Sequence, residues 1–296
     1  MVLIDKASAV HFLSSSLPEW AWLIAKIESD DGRIRFPLVV SRAIQNLKIE
    51  SYPLLYEKEE SIGLVTFHAF FSPDEVSELD MKLASQTPEE RGVSLREIID
   101  DFAELDQAFE IPKTPEAEKQ AHEEFLKLST EDQVAASKVA QRLWMGFLAG
   151  FFQNVSVMVH GQKLTSLVAQ AKAGDDEAYC KAVQIDKRIL TTIPYFKTRF
   201  ELATLEGERN FTDALAYRLQ CPPYKGKIRH KPLWLAFAFL DSMGLLDTLK
   251  HQELLELLDS AGLNGYANRI EDVKYLSKRL TDFRRFRGYG LAMSTP

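Results

Sequence analysis

Ser129 to Gln162, STEDQVAASKVAQRLWMGFLAGFFQNVSVMVHGQ, is the stretch whose reading decides the fold. Ser129 followed by Thr130, Glu131 and Asp132 is a helix start, because a serine oxygen caps orphan amides and early acids suit the positive end of the helix dipole. From Leu143 to Gln162 there are twenty residues without a formal charge, and Gly146 and Gly150 are spaced as in a membrane dimerisation face. That length reaches the span of a bilayer. Against a span, Gln153, Asn154, Ser156 and His160 occupy the second half, and no basic cluster flanks it. A helix apolar all round is also what the centre of a large helical domain requires. The expectation is a buried helix and no membrane span.

Upstream, Ile111-Pro112-Lys113-Thr114-Pro115 stops one helix, and Thr114-Pro115 starts an acidic one. This divides the chain into an N-terminal, mixed but mainly helical region, 1–111, and a helical region, 115–296, with a basic end. A single domain is the alternative. Leu95, Ile98, Ile99, Phe102, Leu105 and Phe109 follow a 3.6-residue period, so 94–110 is predicted as an amphipathic helix. Ser72-Pro73-Asp74-Glu75 opens another. Ser16 with Pro18 reads as a further helix start leading into Trp20 and Trp22. The β-branched and aromatic residues of Ser61–Phe71 allow a short β-hairpin or small sheet near residues 34–71.

Downstream, Gly174-Asp175-Asp176-Glu177 has the chemistry of an αα corner. Helices are predicted at 193–206, 211–220, 232–245, 250–261 and 267–286, with a loop at 221–227. The fold class is therefore mainly α, a multi-helix, bundle-like globular array.

Composition narrows the function classes. With 46% hydrophobic residues in 296, the chain has ample material for a core. Its 36 basic and 43 acidic residues give −7, which excludes binding nucleic acid by being basic throughout. Two cysteines, Cys180 and Cys221, build no disulfide framework and suit a reducing compartment, so a cytoplasmic location is expected. The charge is unevenly spread. Residues 73–134 carry net −12, whereas 187–296 carry net +6. Such asymmetry marks surfaces with separate partners, or parts that dock on each other.

Catalytic signatures are few. There is no phosphate-binding glycine loop, dinucleotide fingerprint, zinc-protease helix or nucleophile elbow, and no histidine pair has helical ligand spacing. Asp100-Asp101-Phe102-Ala103-Glu104 superficially resembles the aspartate-rich magnesium motif of prenyl-transfer enzymes, where carboxylates converge on a diphosphate-bound metal. Here Asp100 and Glu104 fall opposite the apolar side of their helix, as on a solvated face. A helical magnesium-dependent enzyme using Asp100, Asp101 and Glu104 is kept as an alternative. The sequence asks for no cofactor and favours binding over catalysis.

The basic end carries the leading reading. In the helix after Asn268, Lys274, Lys278 and Arg285 form one stripe opposite Ile270, Val273, Leu276, Leu280 and Phe283. The helix runs into Arg284-Arg285-Phe286-Arg287-Gly288-Tyr289, where arginine forks hold phosphates and aromatics stack on unpaired bases. Lys225, Lys227, Arg229 and Lys231 form a second basic loop, placed by expectation on the same surface. Helix 250–261, the turn after it and the basic helix also have the outline of a helix-turn-helix, with Glu271, Asp272 and Asp282 opposing that use. The expected activity is non-enzymatic binding of a nucleic acid or an acidic protein surface. A structural or assembly subunit acting through protein contacts is the second reading, and oligomeric state is left open.

Overall fold

The computed structural model describes residues 6–29, 38–49, 51–57, 81–82, 84–91, 93–94, 112–221, 231–263 and 273–289. In chain order these form α1 (Lys6–Ser29), α2 (Leu38–Asn46), a 3-10 turn (Tyr52–Glu57), α3 (Pro115–Leu126), α4 (Thr130–His160) and α5 (Leu164–Lys172). Then come α6 (Asp176–Ile185), α7 (Ile189–Thr192), α8 (Pro194–Glu206), α9 (Arg209–Gln220), α10 (Lys231–Ser242), α11 (His251–Ser260) and α12 (Val273–Tyr289). Among the described residues there is no strand.

The centre of the array is α4, 31 residues long. The Ser129 hydroxyl accepts from the Asp132 amide at 3.1 Å and donates to its carboxylate at 2.7 Å, which starts the helix. Gly161, in the left-handed region at φ 66°, ends it. The first half projects from the core, whereas Phe147 to His160 are buried. Around that half pack the 3-10 turn, α5, α6, α10 and α12. Tyr52 lies parallel to Phe152, with ring centres 6.1 Å apart. Trp20 of α1 meets Phe147 at 6.4 Å. In turn α1 packs on α10 and α11, so buried residues of α1, α2 and the 3-10 turn share one core with those of α4 to α12.

The polar residues of α4 have structural work. Gln153 is fully buried, accepts from the Thr165 amide at 3.0 Å and donates to the Thr165 hydroxyl at 2.9 Å. It thereby caps α5, whose own N-cap residue Lys163 makes no side-chain cap bond. Ser156 donates to the Gln162 carbonyl and Asn154 to that of Gly150, both at 2.9 Å. Among the described residues no helix is long and apolar enough to cross a membrane.

Two expectations are corrected. Inside the stretch expected to allow a sheet near 34–71, Leu38–Asn46 form a helix and Tyr52–Glu57 a 3-10 turn. Val40 and Ile44 are buried four residues apart while Arg42 and Gln45 are exposed, which is a helical period despite the β-branching. Ser61–Phe71 lie outside the described residues. Nor does Pro18 start a helix: α1 runs through it from Lys6 to Ser29. Proline removes one backbone bond, but Leu13, Leu17, Trp20, Leu23 and Ile24 are all buried on one side, and that packing holds the helix together. The Ser14 hydroxyl also donates to the Val10 carbonyl at 2.8 Å within the turn before the proline.

Candidate binding surfaces

On α12, Leu276, Leu280 and Phe283 are buried. Phe283 packs its ring 5.2 Å from Trp234 and 5.5 Å from Phe237, both of α10. This anchors one side of the helix and fixes the other toward solvent. Lys274, Lys278 and Arg285 are exposed and fall within about 40° of arc, over a length of about 16 Å. Tyr275 is 61% exposed beside them. Asp282 is exposed near the same stripe, 3.8 Å from Arg279.

Arg284 points elsewhere. It donates from Nε to Oδ1 of Asp247 at 2.8 Å, tying α12 to the loop between α10 and α11. Of the cations predicted for the binding face, Arg284 is thus held in an ion pair with Asp247, and the side chains of Lys274, Lys278 and Arg285 are exposed along one stripe. Lys231 opens α10, and Phe286, Arg287 and Tyr289 close α12, but their side chains lie outside the described residues, as do Lys225, Lys227 and Arg229 entirely. Tyr275 was not among the predicted site residues. Its helical offset of about 100° from Lys274 places it beside the stripe.

Asp100, Asp101 and Glu104 lie outside the described residues. Among the described residues, no group of three or more histidine, cysteine or acidic side chains gathers as a metal site.

A second feature had no linear signal. Arg199 of α8 donates to Glu208 at 2.8 and 2.7 Å and to Asp176 at 3.3 and 3.2 Å, and its guanidinium sits 4.1 Å from the centre of the Phe211 ring. Asp176 comes from α6, whereas Glu208 and Phe211 follow Arg199 closely, at the start of the next helix α9. Beside them opens a cleft of about 600 Å³, bounded by Asp176, Glu177, Cys180, Glu208, Arg209 and Phe211 among others. Its acids are matched by cations: Asp176 and Glu208 by Arg199, and Glu177 by Arg218 at 2.6 Å and Lys181 at 3.6 Å. The hydrogen bonds to Glu208 raise the basicity of Arg199 further, and those from Arg199 hold Glu208 below the ordinary carboxylate range. Burial, and then the nearby Glu177 charge, push the Cys180 thiol up to about 11, so it is protonated at neutral pH. The cysteine at this cleft is therefore a thiol rather than a thiolate.

Two buried ionisable groups brace the interior. Burial lowers the His160 imidazole to about 3, with the Lys181 and Arg218 charges acting in the same direction, and its Nε2 has no hydrogen-bond partner. Asp186 is buried too, which raises its carboxyl above the usual value. It accepts from the Tyr56 hydroxyl at 3.2 Å and from the Arg188 amide at 3.1 Å, and so joins the 3-10 turn to the start of α7.

No family model matches this chain, and no curated protein or solved structure does.

Proposed function

We propose that the protein acts by binding rather than by catalysis, and that the exposed face of α12 binds single-stranded nucleic acid. The observation that carries this reading is the alignment of Lys274, Lys278 and Arg285 in one narrow stripe, opposite an anchored apolar side and next to exposed Tyr275. Regularly spaced cations follow a phosphate backbone, and an adjacent aromatic face stacks on an unpaired base. The predicted continuation through Phe286, Arg287 and Tyr289, and the loop with Lys225, Lys227, Arg229 and Lys231, would extend the same chemistry. Against the overall −7 charge, this basic face is a local feature of the C-terminal part of the chain.

The test is fluorescence anisotropy with labelled single-stranded DNA, duplex DNA and RNA, at low and near-physiological salt. Binding is expected to fall steeply as salt rises, and to favour the single strands. Lys278→Glu combined with Arg285→Glu removes two phosphate contacts, so affinity drops and the slope of log affinity against log salt is reduced by about 2. No binding to any of the three at low salt, or affinity unchanged by the double reversal, overturns the reading.

A further inference from the structure

The cleft beside Arg199 is walled by the start of α6, the start of α9 and the Gly207 turn that leads into α9. Its three lining acids, Asp176, Glu177 and Glu208, are answered by Arg199, Arg218 and Lys181, one cation for each acid. That leaves Arg209. It lines the same cleft, is exposed, and its side chain has no ion pair or hydrogen bond among the described residues. The lining residues and the cations paired with them therefore hold one positive charge in excess.

The uncommitted hydrogen-bonding groups of the wall favour the same sign of ligand. Glu208 is the N-cap residue of α9, yet its carboxylate is held by Arg199 and makes no cap bond. The amides of Asn210 and Phe211, in the opening turn, are left without an acceptor among the described residues. Cys180 is only 3% exposed, lies in the wall, and makes no hydrogen bond there. Its thiol is protonated at neutral pH and so is a donor. An arginine fork, two amides and a thiol thus stand unused around one cleft, with Phe211 and Ala214 as apolar surface beside them.

We infer that this cleft binds a small organic monoanion, a carboxylate on a short apolar body, with Arg209 as the group that holds the carboxylate. One charge in excess matches one negative charge, and the guanidinium fork matches the two oxygens. A doubly charged phosphate would instead bring a second, unanswered charge up to Asp176, Glu177 and Glu208. The apolar body is taken up by Phe211 and Ala214. At about 600 Å³ the cleft is of the size of small-molecule sites, which run from about 300 to 1,000 Å³.

Titration calorimetry of the full chain with hexanoate, in a buffer free of other carboxylates and of phosphate, is expected to give a Kd below about 1 mM. Hexanamide has the same shape without the charge, and hexylamine carries the opposite charge. Both are expected to bind about tenfold more weakly, or not at all, and inorganic phosphate more weakly than hexanoate. Arg209→Gln abolishes hexanoate binding and leaves the melting temperature of the free protein unchanged, because Arg209 has no partner to lose. Lys278→Glu with Arg285→Glu leaves hexanoate binding as it was, since the α12 face shares no residue with the cleft. A Kd weaker than about 1 mM overturns the inference, as does hexanamide or phosphate binding as tightly as hexanoate. So does affinity retained in Arg209→Gln, or lost in the α12 double variant, which would place the anion on that face instead.

Discussion

Arg284 and Asp247 are joined by a 2.8 Å hydrogen bond from Nε to Oδ1, with a second guanidinium nitrogen also 2.8 Å from the same oxygen. From sequence, Arg284 belongs with Arg285 as a ligand-binding cation, and reversing both is expected to weaken binding without lowering the melting temperature. The ion pair changes the second half of that expectation. Both side chains are over a third exposed, so Arg284→Ala costs only about 0.5–1 kcal/mol. Arg284→Glu costs more, because it sets a carboxylate against Asp247. Thermal melts of Arg284→Glu and Arg285→Glu made separately are expected to show a loss for the first and almost none for the second. Equal melting temperatures would show that the pair contributes nothing.

Arg199 holds α6, α8 and α9 together with a flat, forked group, and the shape matters as much as the charge. Its two edges take Asp176 and Glu208 while its face covers Phe211. Arg199→Ala is expected to cost about 2 kcal/mol, as for other charged hydrogen bonds taken partly out of water. Arg199→Lys keeps the charge but loses the fork and the stacked face, and should recover less than half. Urea midpoints of the two variants decide this. Full recovery by lysine would reduce the cluster to simple charge pairing.

The buried His160 sets a pH dependence. Its folded value of about 3 lies below the 6.5 of an unfolded imidazole, so between these limits the unfolded chain binds a proton that the folded one does not. Stability is full above pH 6.5 and is lost as pH falls, by at most about 1.4 kcal/mol per unit. Asp186 has the opposite sign, since a raised carboxyl takes up its proton in the folded state first. The clean comparison is therefore between wild type and His160→Gln. The wild type is expected to lose stability relative to the variant as pH falls from 7 to 4.5. Parallel curves would show that His160 titrates normally in the fold.

Helix starts were readable from short-range chemistry. Thr114 accepts from the Ala117 amide at 3.2 Å, and Asp175 accepts from the Glu177 and Ala178 amides at 2.9 and 3.0 Å, as their positions predict. The stripe on α12 was readable for the same reason, because one helix supplies it. What escaped were features that tertiary packing decides. Pro18 is tolerated because neighbouring helices bury the residues around it, which local propensity does not register. Arg199 needs Asp176 brought to it from α6 and Glu208 turned back to it at Gly207. Arg284 looks identical to Arg285 until Asp247 is placed beside one of them.

Gly207 tests how far such conformational demands matter. It ends α8 at φ 72°, its amide bonds to the Ala203 carbonyl, and a β-carbon there would have nothing within 4 Å. Space is thus no obstacle, and Gly207→Ala isolates the backbone cost of the left-handed region, about 1 kcal/mol. Gly207→Asn is expected to cost less, since asparagine tolerates this region better. Identical stability of all three proteins in chemical denaturation would mean that the turn relaxes.

Gln153 explains why the buried half of α4 is not uniformly apolar. Its amide answers both the amide and the hydroxyl of Thr165, so α5 begins against a side chain of α4 rather than against its own cap. Gln153→Met nearly preserves volume and removes both bonds. Two polar groups of Thr165, itself only 4% exposed, then lose their partners, and a cost of about 2–3 kcal/mol follows. The expected signature is a lower denaturant midpoint with an unchanged slope, since the fold exposes the same surface on unfolding. A cost below about 0.5 kcal/mol, the level of an ordinary surface substitution, would mean that apolar packing alone positions α5 and that the polar break in α4 has another cause.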